Sequence, residues 1–289
     1  MPGAVPTAAP HAPSIPALNF TMTLIHHRLK TLVLAAGLVL AAPGAFAQAF
    51  DAVRLYGAAP GTDAGTAGAA IVATYEYQGS DERSTLLLPV LDYQWANGWF
   101  AGVANGIGFN FSASPQFQYG LRLTADKGRK ESRASALRGM GDIDAAAEGG
   151  AFFNCSLPQG LFVTSSLRYG SGTGHKGLVV DLGAGYLTEI APNWHLGAGA
   201  ALTLANDPYM QSYFGVTAAQ SGASGHALHT AGAGARDVRG NLALTYSVSP
   251  KTSVTAALSA SRLLGDAESS PLTRKRTSEM AVLALSYAF

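Results

Sequence analysis

Two histidines, His226 and His229, stand three residues apart in a stretch rich in Gly, Ser and Ala, a spacing that invites a metal reading. A metal site needs three or four ligands in fixed geometry. Asp237 is the only acid nearby, so the pair reads as solvated loop histidines and no metal is expected. His175, inside Gly-Thr-Gly-His-Lys-Gly, reads as a hairpin-loop residue, and His195, beside Trp194, as an interfacial packing residue. Ser165, Ser166, Ser212 and Ser221 lack a Gly-x-Ser-x-Gly elbow and a spaced His and acid. A His–Asp dyad assembled from distant strands is the one catalytic arrangement the spacing leaves open. Gly139–Asp144 offers two acids in a Gly-rich loop but not the regular run of oxygen ligands of an EF-hand, and reads as a turn into the next strand. The expectation is a protein that is not an enzyme and holds no cofactor.

Two groups of charges remain. Arg122, Glu148, Arg168 and Asp181 each fall on the small or polar side of an alternating segment. Lys127, Arg129, Lys130, Arg133 and Arg138 crowd one loop, with Glu131 among them. What these groups can do depends on the elements that carry them.

Past residue 68 the dominant pattern is a period of two, the mark of strands with unlike faces. Leu178, Val180, Leu182, Ala184 and Tyr186 alternate with Asp181, Gly183 and Gly185. Leu196, Ala198, Ala200, Leu202 and Leu204 alternate with His195, Gly197, Gly199 and Thr203. The same holds for Phe117–Leu123 and Leu242–Val248, where the large residues are aliphatic in mid-strand and aromatic towards the ends. A soluble sandwich puts its large residues inside and charge outside. This chain has only 13% charged residues, 48% apolar residues and 34 glycines among 289 residues. So low a charge content does not suit a water-facing surface. The longest apolar run, Leu32–Ala42, is 11 residues long, short of the ~20 a spanning helix needs. A closed barrel of amphipathic strands is the remaining way across a bilayer. Charged side chains in such a wall face the lumen, which assigns Arg122, Glu148, Arg168 and Asp181 to a polar path or a salt-bridged plug.

Other classes are excluded. With 19 basic and 18 acidic residues there is no cationic excess for nucleic acid. One cysteine, Cys155, rules out an intramolecular disulfide framework. The apolar content excludes disorder.

The N-terminus reads as an address. A basic flank (His26-His27-Arg28-Leu29-Lys30), an apolar Thr31–Ala42 and the small-x-small Ala45-Phe46-Ala47 form a signal peptide over 22–47, cleaved before Gln48. Residues 1–21 read as a non-native extension ahead of a start at Met22, and 48–289 as the barrel. Strands are expected at 50–58 (weak), 69–78, 85–95, 99–111, 116–126, 145–155, 160–170, 177–189, 194–205, 236–248, 252–264 and 279–289. Twelve is the preferred count, because both ends on one side require an even number; ten with an N-terminal plug is the alternative. Connections alternate between short (156–159, 190–193, 249–251) and long (127–144, 206–235), the asymmetry of periplasmic turns and external loops. In the last strand Ala281, Leu283, Leu285, Tyr287 and Phe289 share one face and end on an aromatic. That ending looks like the signal outer-membrane barrels present to their assembly machinery, which assigns Tyr287 and Phe289 to it. The basic loop is then either an electrostatic contact for outer-leaflet lipopolysaccharide or a solvated loop with internal ion pairs.

A set of strings then resembles one family: YQGSD (77–81), LPVLDYQWANGWF (88–100), QYGLRL (118–123), GRKES (128–132), RGMGDID (138–144), SSLRYGSG (165–172), YMQSYFGV (209–216), RDV (236–238) and LLGDAESSP (263–271). In this order they resemble the MipA/OmpV outer-membrane proteins, from about Tyr75 to Phe289. The N-terminal extension and Cys155 depart from the family pattern. The resemblance implies an outer-membrane location and a scaffold that binds a lytic murein transglycosylase and a bifunctional penicillin-binding protein. Because function varies within one fold, a channel for small polar solutes carried by the lumen charges is the alternative, and a surface enzyme acting on lipid or peptide a third reading.

Overall fold

The computed structural model of the chain describes residues 59–289. The expected extension 1–21, signal peptide 22–47 and weak strand 50–58 lie outside the described residues. Twelve strands run in order: β1 (Ala64–Tyr75), β2 (Arg83–Gln94), β3 (Trp99–Gly102), β4 (Gly106–Asn110), β5 (Phe117–Asp126), β6 (Ala146–Ser156), β7 (Leu161–Ser171), β8 (Gly177–Ala191), β9 (Trp194–Ala205), β10 (Gly234–Ser247), β11 (Thr252–Leu263) and β12 (Thr277–Ala288). Each pairs antiparallel with its sequence neighbours, and β1 pairs with β12 from Thr66↔Ala288 to Ala73↔Ala281. The sheet therefore closes. Closure leaves no free edge along the seam, and the Gly65 and Phe289 backbones exchange two hydrogen bonds of 3.0 Å at its end.

The count of twelve is reached by a different route from the expected one. The segment 99–111 is not one strand but a hairpin of β3 and β4, paired from Trp99↔Phe109 to Gly102↔Gly106. Its turn is the three-residue loop 103–105 followed by Gly106 at φ +74°, the left-handed position that a three-residue hairpin loop ends on. A Cβ at Gly106 would collide with the Leu123 carbonyl, so the turn and its packing both require glycine.

Period-two alternation sorts side chains as the hydrocarbon demands. The outer surface carries Ile71, Leu87, Leu121, Leu123, Leu182, Leu242, Leu258, Leu283 and Leu285, with Leu87 74% and Leu123 63% exposed. In water this would be a very large exposed apolar patch; in a bilayer it is the solvated face. Aromatics gather towards the rim that holds both barrel ends: Tyr93 against Trp95 and Phe289, Trp99 against Phe109, Phe111 against Tyr119, Phe117 against Phe153, and Trp194 against Tyr246. Their amphipathic rings suit the headgroup boundary. The connections on this rim, 95–98, 111–116, 157–160, 192–193 and 248–251, are short. The connections 127–145, 206–233 and 264–276 lie on the opposite rim and are long. By that asymmetry the short-turn rim is periplasmic and the long-loop rim external.

The interior is two-sided. Ala70, Val72, Leu88 and Val282 form an apolar cluster on the inner face of β1, β2 and β12, joined by Leu86, Val90, Met280 and Ala104. Charged and polar side chains occupy the inner face from β5 to β10. Leu258→Arg, near the middle of β11 and 62% exposed, is expected to destabilise the barrel by about 2–4 kcal/mol. Urea unfolding in phospholipid vesicles measures it, and an unchanged midpoint would mean this face does not contact hydrocarbon.

Candidate functional site: a charged inner wall beneath a cross-tied cap

Each strand from β5 to β10 contributes inward side chains at every second position, so residues far apart in sequence meet on one wall. Arg168 of β7 is central. Its guanidinium reaches Glu148 of β6 at 3.4 Å and Asp181 of β8 at 2.9 Å. Asp181 also accepts from Arg239 Nη2 of β10 at 2.8 Å and from Thr203 Oγ1 of β9 at 2.7 Å. Arg239 Nε lies 3.5 Å from Asp237, which takes Arg236 Nε at 2.6 Å. Arg236 Nη1 in turn donates to the Tyr209 hydroxyl at 2.7 Å. Glu148 accepts from Thr124 of β5 at 3.2 Å, and Arg122 Nη2 donates to Ser166 Oγ at 2.7 Å.

The structure thus brings Glu148, Arg168 and Asp181 into direct contact and places Arg122 beside them on Ser166. It adds Arg236, Asp237 and Arg239, which sequence reasoning missed. Arg239 was within reach, since it lies two residues before Asn241 on the polar side of that strand. Asp237 was too, two residues before Arg239 on the same side; Arg236 was not, because the β9–β10 register shifts between Ala235 and Asp237 and parity fails there. Buried ion pairs rarely add net stability, yet removing one partner is costly. Their reliable consequence is mutual positioning of β6 to β10.

Above this wall the external loops are tied to one another as a cap. The β9–β10 connection holds helices α1 (Asp207–Phe214) and α2 (Ala218–Ser224), and the β11–β12 connection holds α3 (Gly265–Ser269). Asn206 caps α1 by accepting from the Tyr209 N–H, and Thr217 with Gln220 forms a capping box for α2. The buried face of α1 (Tyr209, Met210, Phe214) packs on Val179, Ala205, Leu263 and Ala267, joining strands and loops in one core. Met140, Val216 and Leu272 form a second core between three different connections. Hydrogen bonds tie the loops crosswise. Tyr77 donates to the Leu272 carbonyl at 2.7 Å, Ser270 to that of Phe214 at 2.6 Å, and Gln220 to that of Met140 at 2.7 Å. The Tyr213 hydroxyl donates to Asp126 at the end of β5.

Residues that resembled metal or catalytic groups are part of this cap. His226 Nε2 sits 2.9 Å from the Ala136 carbonyl and His229 Nε2 3.0 Å from that of Asp266, so each ties a different pair of loops. Among the described residues no three His, Cys, Asp or Glu side chains group as metal ligands. Asp142 and Asp144 both reach Lys130, at 3.0 and 2.8 Å, and Glu131 accepts from the Gly139 and Gly141 amides. Of the basic-loop residues, Lys127, Lys130, Arg133 and Arg138 are exposed, whereas Arg129 is buried and donates from Nη1 to the Tyr213 carbonyl at 2.6 Å. Tyr287 and Phe289 face outward at the periplasmic end of β12, with Lys251 over the Tyr287 ring at 5.8 Å.

Burial raises the Tyr77 and Tyr209 phenols in the cap to about 12. Folding favours their neutral forms, so the stability they carry is complete below the ordinary value of about 10 and is lost as pH rises towards 12. Protease cleavage within 206–233 is accordingly expected to accelerate above about pH 10, and less so in Tyr209→Phe. Asp181→Asn, which removes the carboxylate shared by Arg168 and Arg239, is expected to cost about 3–5 kcal/mol, measured by urea unfolding.

The family model described as MltA-interacting protein MipA matches residues 67–289. Comparison with curated proteins returns no match. Among solved structures, a KdgM porin shares 10% identity at a TM-score of 0.42, over 78% of this chain and 99% of its own. A NanC porin shares 9% at 0.43, over 76% and 98%. The translocator domain of the autotransporter NalP from Neisseria meningitidis shares 13% at 0.42, over 92% and 97%. These are distant likenesses.

Proposed function

We propose a function from one premise: the chain belongs to the MltA-interacting protein (MipA) family and is an outer-membrane β-barrel. It acts as a membrane-held scaffold that docks a murein-degrading enzyme of the MltA type, and with it a penicillin-binding protein, at the inner surface of the outer membrane. One observation carries this reading over transport: the loops of the external rim are cross-tied into a cap with its own cores. Such a barrel suits an anchor better than an open pore.

The docking surface is the periplasmic rim. It offers the polar turn tips Asn97, Gln116, Gln159, Asn193 and Lys251 and the entering segment, whose Ala59 carbonyl accepts from Gln94 and whose Asp63 accepts from the Ala96 amide. At the same rim, Tyr287 and Phe289 are the residues the assembly machinery engages. On the external side, exposed Lys127, Arg133 and Arg138 supply the electrostatic contact to lipopolysaccharide. A second reading, a channel for small polar solutes, is favoured by the charged wall holding Arg122, Glu148, Arg168 and Asp181.

Purified processed protein, with and without residues 48–63, separates the readings when immobilised and offered a lytic transglycosylase. Retention by the longer form and weaker retention by the shorter is expected; no retention by either removes the scaffold. In planar bilayers the barrel is expected to be silent. A steady conductance altered by Arg168→Ala would instead establish the channel.

A further inference from the structure

The barrel wall is incomplete on its external half between β2 and β5. The β3–β4 hairpin, which fills the space between them, pairs with β2 only from Asp92 to Gln94 and with β5 only from Gly120 to Leu123. From Arg83 to Val90, one edge of β2 pairs with no strand among the described residues. Four boundaries frame this window. Its floor is the β3–β4 turn, where the Val103 amide donates to the Leu91 carbonyl at 2.8 Å. Its sides are β2 and the last residues of β5. Its roof is a bridge from the β5–β6 connection, where the Ser135 amide and hydroxyl donate to Glu82 at 2.8 and 2.7 Å.

The residues around the opening are built for hydrocarbon. The Leu91 carbonyl faces β3, and backbone direction alternates along a strand, so Pro89 turns its nitrogen to the window. That is the one side on which a missing N–H breaks no ladder bond, and it removes a donor from an edge that lipid would leave unsatisfied. Leu87 and Leu91 face outward. Leu86, Leu88 and Val90 face inward onto the apolar cluster that Ala104 of the turn also joins. The apolar half of the interior is therefore the half beside the window.

A second, independent feature lies just past the end of β5. Arg129 is 6% exposed. Its Nη1 is taken by the Tyr213 carbonyl, while Nε and Nη2 have no partner among the described residues. Those two nitrogens form the guanidinium edge that binds a carboxylate through two parallel hydrogen bonds. A buried arginine with that edge unclaimed calls for an anion.

We propose that the window is a lateral port for a long-chain fatty acid carried in the bilayer, its chain lying against Leu86, Leu88 and Val90 and its carboxylate held by Arg129. This route is separate from the capped mouth and does not rest on the docking role proposed above.

The test uses the barrel reconstituted in phosphatidylcholine vesicles with a long-chain fatty acid bearing a photoactivatable diazirine near the chain end. Mass spectrometry then maps the labelled residues. Saturable labelling of inward-facing Leu86, Leu88 or Val90 is expected, competed by unlabelled fatty acid and not by the fatty alcohol of equal length. A lysophosphatidate competitor distinguishes the heads: competition weaker than by the fatty acid supports a carboxylate site, and stronger competition overturns that assignment. Arg129→Gln is expected to raise the half-saturating concentration roughly tenfold, with Lys130→Gln unchanged. Labels confined to outward-facing Leu87, Leu91 and Leu123 would overturn the port. Equal competition by the alcohol would overturn the role of Arg129. Neither result requires a variant to fold.

Discussion

A backbone amide left unpaired in hydrocarbon costs several kcal/mol, and the rest of this structure follows from that penalty. It is why twelve strands close through the β1–β12 seam rather than ending in two edges. It is also why every strand has unlike faces: leucines turned to acyl chains and smaller or polar residues turned inward. Low charge and high glycine content, odd for a soluble protein, are ordinary for a wall whose outside is solvated by lipid and whose inside is crowded.

The interior departs from a uniform polar lumen. From β5 to β10 it is a buried ladder of arginines and carboxylates in which each carboxylate serves two or more donors; towards β1, β2 and β12 it is aliphatic. The ladder continues through Arg236 to Tyr209 of α1, so the external cap is tied to the transmembrane wall by a buried hydrogen bond as well as by packing. A cap fixed this way behaves as part of the barrel rather than as a loop resting on it.

The short β3–β4 hairpin is the exception to complete closure, and its consequences are local. Where the wall is low, β2 keeps an unpaired edge, proline occupies one of the positions where a donor would be stranded, and the loop carrying Ser135 reaches across to Glu82. Incomplete pairing and apolar lining occur together there, whereas the other strands pair along most of their length, with register shifts at β7–β8, β8–β9 and β9–β10.

The period-two pattern determined the fold class, the outward face and eleven of the strand positions from the sequence alone, one of them standing for both β3 and β4. Alternation is a property of neighbouring residues and needs no knowledge of the partner strand. The same parity marked Arg122, Glu148, Arg168 and Asp181 as one class. It could not tell which of them touch, because contact depends on register between strands: Arg168 lies 20 residues from Glu148 and 13 from Asp181. The split of 99–111 was legible in Asn105-Gly106, but alternation on both sides of the dipeptide obscured it. Other features belonged to tertiary structure alone: the register shift that turns Arg236 inward beside Asp237, the cap that recruits His226 and His229 as loop ties, and the burial of Arg129 away from its basic neighbours. Each depends on connections meeting across the barrel mouth, and such meetings are decided by closure of the sheet rather than by any local run of residues.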